Sequence, residues 1–169
     1  MRDKLILSIM LSVFFVIQIP MLFSTLASDE NIYFYMGKVV AEKGLVPHRD
    51  FFFAHPPIHI YMFATLIWLF GFHIWILKLF TVLVIIGCAI FVYLIAKERY
   101  DKKIGLTAVF LFLTSYDFLI FGSVSFGLEV SVLFFLISWY LLDKKPALSG
   151  LFFGLSLMVR LHLLPLGIV

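Results

Sequence analysis

Pro56-Pro57-Ile58-His59-Ile60-Tyr61-Met62-Phe63-Ala64-Thr65-Leu66-Ile67-Trp68-Leu69-Phe70 is a 15-residue apolar run, and whether it crosses a membrane decides the topology of everything after it. As a helix it would measure about 22 Å, against a hydrocarbon core of about 30 Å. Loop charges give an independent test. If the run does not cross and the N-terminus is cytoplasmic, the inner side holds Arg2, Lys4, Lys97, Arg99, Lys102, Lys103, Lys144 and Lys145. The outer side then holds Lys38, Lys43, Arg49 and Lys78. If the run crosses, every later loop flips and only Arg2, Lys4 and Lys78 stay inside. Short cytoplasmic loops favour lysine and arginine. Residues 56–70 are therefore expected to lie at the outer surface.

The remaining chain reads as an all-α polytopic membrane protein. Of its 169 residues, 63% are hydrophobic and 14% charged, where a soluble domain carries roughly 25% charged residues to face water. The apolar residues run on without a strand or helix period, which excludes a soluble single-core domain, a disordered chain and an outer-membrane barrel. Five transmembrane helices are expected, at about 5–26, 74–96, 104–121, 124–142 and 147–164, with an outer loop, 27–73, carrying two juxtamembrane helices. The first run could be mistaken for a cleavable signal with Thr25-Leu26-Ala27 as its processing site. Its apolar stretch exceeds the 7–15 residues of a signal core. Net charge is +3, too small to indicate nucleic acid. Cys88 is a single cysteine in an apolar run, so an internal disulfide is excluded. The chain stops at Leu166-Gly167-Ile168-Val169, directly after an apolar run, as expected for the N-terminal part of a longer transmembrane domain spanning 1–169.

Within the outer loop, Ser28–Gly44 reads as an amphipathic helix. Ser28 can cap it, Ile32, Tyr35, Met36, Val39 and Val40 share a face, and Gly44 suits its stop. Val46-Pro47-His48-Arg49-Asp50 turns the chain, and Pro56-Pro57 can open the second helix, where proline sacrifices no hydrogen bond. In so apolar a chain the informative residues are ionisable groups at membrane depth. Asp29, Glu30, His55, Asp117, Glu129, Arg160 and His162 all project to the outer side in this topology. Each has a plainer role available: helix-start carboxylate, headgroup contact, snorkelling cation or packed histidine. Lys78 reads as an interfacial anchor. His55 and His59 stand four apart, but two prolines intervene and no third ligand is evident, so metal binding stays unassigned.

Asp29-Glu30 followed by Tyr33, the helix to Gly44, Pro47-His48-Arg49-Asp50-Phe51 and His55-Pro56-Pro57 together resemble the first outer loop of GT-C fold glycosyltransferases. The pattern is similar to the protein O-mannosyltransferase and aminoarabinose transferase group. Gly150-Leu151-Phe152-Phe153-Gly154-Leu155 with Arg160 is similar to that group's glycine-rich fifth span. Two departures stand out: Ala54-His55-Pro56 where the aminoarabinose enzymes have Glu-Lys-Pro, and Arg160 where a lysine is common. The resemblance implies an enzyme that moves a sugar from a polyprenyl-phosphate donor to an acceptor hydroxyl on a protein, lipid or glycan, at the extracytoplasmic face of a prokaryotic plasma membrane. It points to Asp29 as general base, with Glu30 or Glu129 orienting the acceptor or holding a divalent cation. Arg160, His55 and Arg49 are the expected contacts to the donor. A small transporter, or a non-catalytic subunit of a membrane complex, is the alternative. Midplane charges and a half-repeat would favour transport, and the chain shows neither.

Overall fold

In a computed structural model the protein is described at residues 2–25 and 28–167. Eight α-helices occur there: α1 (Arg2–Leu22), α2 (Ser28–Lys43), α3 (Ile58–Phe70), α4 (Ile74–Arg99), α5 (Lys102–Leu113), α6 (Tyr116–Phe121), α7 (Leu128–Leu141) and α8 (Pro146–Val159). A 3-10 turn, Leu161–Gly167, follows α8.

Helix α4 is the centre of the bundle. Its 26 residues make about 39 Å of helix, and it joins three buried clusters. Val82, Ile85, Ala89 and Tyr93 pack with Phe14 and Leu22 of α1 and Val109 and Leu113 of α5. Leu77 joins Tyr33 and Phe34 of α2, Phe53, and Ile60, Phe63 and Ile67 of α3. Val84 meets Val130 of α7 and Val159 of α8.

Both helices expected in the outer loop are present. Helix α2 ends as its sequence suggests: Gly44 takes φ +66° and its N–H donates to the Val40 carbonyl at 3.0 Å. The Ser28 side chain, the expected cap, lies outside the described residues, as do Leu26 and Ala27. The face α2 buries is Glu30, Tyr33, Phe34 and Gly37, while Ile32 and Tyr35 stay exposed. The reason is close approach at Gly37, where an added Cβ would stand 2.8 Å from the Phe63 Cβ. That contact is at the root of Phe63, so no rotamer relieves it. Gly37→Ala is expected to destabilise the fold by about 1–3 kcal/mol through overpacking, read as a lower thermal midpoint of the purified protein.

Four expected spans are shorter or broken, each for a local reason. Helix α1 closes two residues past Pro20, with Phe23 and Ser24 N–H bonded to Pro20 and Met21 carbonyls. The stretch 104–121 divides into α5 and α6 at Thr114-Ser115. Thr114 Oγ1 donates to the Phe110 carbonyl at 2.7 Å and Ser115 Oγ to that of Phe112 at 2.9 Å, an alternative to the helical ladder. Helix α7 starts only at Leu128, because Gly127 sits at φ +78°. Helix α8 ends at extended Arg160 (φ −151°). Helices α7 and α8 have 14 residues each, about 21 Å. Among the described residues, α1 and α4 are the helices long and apolar enough to cross a membrane.

The α7–α8 pair is joined by hydroxyls rather than by its glycines. Ser131 Oγ donates to the Ser156 carbonyl at 2.9 Å, and Ser138 and Ser149 exchange hydroxyl-to-carbonyl bonds of 2.9 Å. Gly150 and Gly154 face open space.

One end of the bundle gathers eight of the 13 basic residues. Tyr93 Oη donates to Asp3 at 2.9 Å, Arg99 pairs with Asp143 at 3.3 Å, and Lys144 with Glu98 at 2.6 Å. These contacts bring the start of α1, the end of α4 and the α7–α8 turn together, and with them the eight basic residues assigned to one side from sequence.

Candidate functional site

The opposite end holds the polar groups singled out in the sequence, and the structure sorts them. Glu30 and Lys78 are both fully buried and lie 3.6 Å apart. Lys78 Nζ also donates to Ser24 Oγ at 3.0 Å and to the Met21 carbonyl at 3.3 Å. Lys78 is thus no interfacial anchor. It sits in the first turns of α4 and reaches into the α1–α2 junction, where burial demands a counter-charge. Its neighbour Asp29 is exposed on the first turn of α2. Successive positions on a helix point about 100° apart, so one carboxylate goes to the core and the other to the surface.

One turn on from Asp29 is Tyr33, and there α2 meets Arg160. Arg160 Nη2 donates to Tyr33 Oη at 2.9 Å, and its carbon Cζ lies 5.5 Å from the Tyr33 ring centre. Arg160 Nε donates to the Phe126 carbonyl at 2.9 Å, and Nη2 reaches the same oxygen. The extended backbone where α8 stops aims the guanidinium at this gap. Half-buried His55 is close enough that Arg160, second to burial, holds its imidazole below the usual histidine range.

Glu129 is buried and bonded within its own loop. Its Oε1 accepts from Ser125 Oγ at 2.5 Å and from Gly127 N at 3.3 Å. Ser125 Oγ lies 3.0 Å from His59 Nε2. Because the Ser125 hydroxyl donates to Glu129, the imidazole Nε2–H is the donor to Ser125 Oγ. His59 in turn packs edge-on to Tyr33, ring centres 5.3 Å apart. Gly127 fits because a Cβ there would come within 2.9 Å of His59 Nδ1. The segment 123–127 is therefore fastened on both sides, and its Phe126 carbonyl is the fixed point on which Arg160 rests.

Arg49 stands apart. It is exposed and forms a two-bond pair with Asp50, at 2.9 and 2.8 Å. Asp50 also accepts from Val46 N at 2.8 Å, and these bonds, Arg49 first, hold its carboxyl down at about 2. The pair closes the 46–51 turn, in which His48 takes φ +66°. Asp117 is exposed in α6 and lines a cavity of about 340 Å³ with Glu129, Phe126 and apolar residues of α4, α6 and α7. No group of three histidine, cysteine or carboxylate side chains suited to a metal ion occurs among the described residues.

The structure thus joins Tyr33 and Arg160, sets His55 beside Tyr33 through the Phe53 ring, and ties Glu129 to them through segment 123–127. Ser125 is a participant that the sequence reading did not single out, and His59 and Lys78 are two to which it gave plainer roles. Their signal was present, since each is a polar residue in an apolar run, but their partners are 4 to more than 40 positions away.

Residues 54–168 match the family model described as dolichyl-phosphate-mannose-protein mannosyltransferase. The match takes in His55, Glu129 and Arg160 and begins beyond Asp29 and Glu30. No curated protein and no solved structure matches the chain.

Proposed function

The chain belongs to the dolichyl-phosphate-mannose-protein mannosyltransferase family, and from that premise we propose that it moves a sugar from a polyprenyl-phosphate donor to an acceptor hydroxyl at the extracytoplasmic membrane surface. The family makes it a membrane glycosyltransferase of this general type; donor, acceptor and residue roles are the proposal. The observation that carries it is Arg160. Its guanidinium is fixed by the Phe126 carbonyl and Tyr33 Oη, and Tyr33 stands one helical turn along α2 from the exposed Asp29.

Transfer needs a base for the acceptor hydroxyl and positive charge for the departing phosphate. Asp29 supplies the first, as a carboxylate in contact with water. Arg160 supplies the second, with a planar fork of donors matched to phosphate oxygens and held in place before charge develops. His55, neutral because burial and Arg160 disfavour its protonated form, can donate one hydrogen bond to the same phosphate. The apolar cavity beside Phe126 is the nearest room for the isoprenoid chain. Glu30 serves the fold by pairing Lys78, and Glu129 serves the site by positioning segment 123–127. Arg49 closes its own turn, so a donor contact from it is the least supported of the expected roles. A divalent cation would find Asp29 as its exposed ligand.

In this reading five elements cross the bilayer and α2 and α3 lie at the outer surface. The chain's basic end is cytoplasmic, as the positive-inside rule requires. The shortfall of α7 and α8 is made up by 123–127 and the 3-10 turn. Buried Ser123 and Ser125 place the first of these inside protein, where non-helical backbone is tolerated.

Membranes containing the protein, given a radiolabelled polyprenyl-phosphate mannose, are expected to transfer label to endogenous acceptors. Arg160→Gln is expected to lower that transfer about 10²–10³-fold, the usual loss on removing one preorganised donor to a developing oxyanion. Equal transfer by wild type and Arg160→Gln would remove Arg160 from the mechanism, and no transfer by either from any polyprenyl-phosphate sugar would remove the function.

A further inference from the structure

At the basic end, two clefts lie side by side against the surface of α4 and α7 and share Ile95, Arg99 and Trp139. The first, about 240 Å³, is polar, lined also by Glu98, Tyr140, Asp143 and Lys144. The second, about 460 Å³, is apolar apart from Arg99, with Val92, Ala96, Phe135 and Leu136 along its walls. Arg99 stands between them. A head-sized polar cleft continuous with a chain-sized apolar groove has the shape of an amphiphile.

Charge decides which one. The cleft walls carry two bases, Arg99 and Lys144, and two acids, Glu98 and Asp143; the flanking sequence adds Lys97, Lys102, Lys103 and Lys145 against Asp101, so stretches 97–103 and 143–145 hold a surplus of three positive charges. The ion pairs present are exposed: Arg99 and Asp143 side chains are 56% and 80% accessible, so water and salt weaken them and an incoming phosphate competes readily. The two lysine pairs, Lys102-Lys103 and Lys144-Lys145, stand at the start of α5 and just before α8, where the helix dipole disfavours cations and favours anions. Trp139 and Tyr100 are exposed at the same level, as aromatic side chains are where hydrocarbon meets headgroups.

We propose that this paired cleft is a binding site for one anionic glycerophospholipid, its phosphate between Arg99 and Lys144 and one acyl chain in the α4–α7 groove. The site is remote from Arg160 and does not depend on the transferase reading. A bound lipid would bridge α4 to the α7–α8 turn, the connection now made by the Arg99–Asp143 and Lys144–Glu98 pairs.

The test uses the full chain in vesicles of phosphatidylglycerol and phosphatidylcholine with matched acyl chains, followed by mild detergent extraction and measurement of the lipid that stays bound. Wild type is expected to retain phosphatidylglycerol severalfold over its share of the vesicle. Arg99→Gln with Lys144→Gln is expected to return the ratio to the bulk value, and Lys43→Gln at the far end to leave it unchanged. Equal retention of the two lipids by wild type overturns the proposal, as does undiminished enrichment in the double variant. A second measurement avoids the risk of misfolding. Tryptophan fluorescence is compared between wild type and Trp139→Phe in vesicles carrying brominated chains on one lipid at a time. The quenching assigned to Trp139 is expected to be severalfold greater with brominated phosphatidylglycerol; the same quenching from both lipids overturns the site. If glycerol phosphate alone displaces the retained lipid as well as phosphatidylglycerol does, the groove contributes nothing and the lipid assignment fails.

Discussion

Asp29→Asn is expected to reduce sugar transfer by about 10²–10⁴-fold, the range for loss of a positioned general base, while leaving the protein folded. The second half of that expectation is what makes the first informative. Asp29 is exposed on the first turn of α2, so an isosteric amide creates no cavity and leaves no buried charge behind. The lost negative charge near a helix N-terminus costs only about 0.3–1 kcal/mol. The turnover rate should fall with donor affinity little changed, because phosphate binding resides with Arg160. A variant whose donor affinity falls and whose turnover survives would place Asp29 among the binding groups. Full transfer by Asp29→Asn would remove it as base.

Glu30 is expected to behave in the opposite way. Glu30→Gln, or Lys78→Met, leaves one fully buried charge without its opposite, and breaking such a pair typically costs about 3–5 kcal/mol. That is a large share of a domain's stability, so the single variants should lose most of their folded yield and show a much lower thermal midpoint. The double variant Glu30→Gln with Lys78→Met removes both charges and should recover much of the loss, since a buried pair gains little over apolar residues of like size. A double variant no more stable than the singles would show that Lys78's bonds to the Ser24 and Met21 backbone region matter more than its partner. If single and double variants keep normal stability but lose activity, Glu30 belongs to the chemistry instead. Adjacent carboxylates would thus be separated by experiment: activity without stability for Asp29, stability first for Glu30.

That separation was beyond the reach of the sequence, where Asp29-Glu30 looks like one acidic motif. Local rules served well. Gly44 stopped α2 and Pro57 preceded α3 because turn chemistry is written in neighbouring residues. The basic residues gathered at one end because loop charge and helix order are one-dimensional facts. Failures came where hydropathy conceals geometry. Thr114 and Ser115 sit in an apolar run, and only their hydroxyl bonds to Phe110 and Phe112 reveal a break. Gly127 reads as an ordinary apolar position until its left-handed backbone and the nearby His59 ring are known. Lys78 finds Glu30 across 48 positions, and Arg160 finds Tyr33 across 127, distances no periodicity can signal. Glu129 stands out in the sequence as a carboxylate among apolar residues, but its partners Ser125 and Gly127 are visible only in the fold.

The three buried clusters around α4 also set a timetable. The fully buried members of the α2–α3 cluster have all been made by residue 77, those of the α1–α5 cluster by residue 113, and those of the α7–α8 cluster by residue 159. A chain leaving the ribosome from its N-terminus can therefore bury most of the first two clusters before α7 and α8 are made, while Tyr33 gains Arg160 and Val84 gains Val159 only at the end.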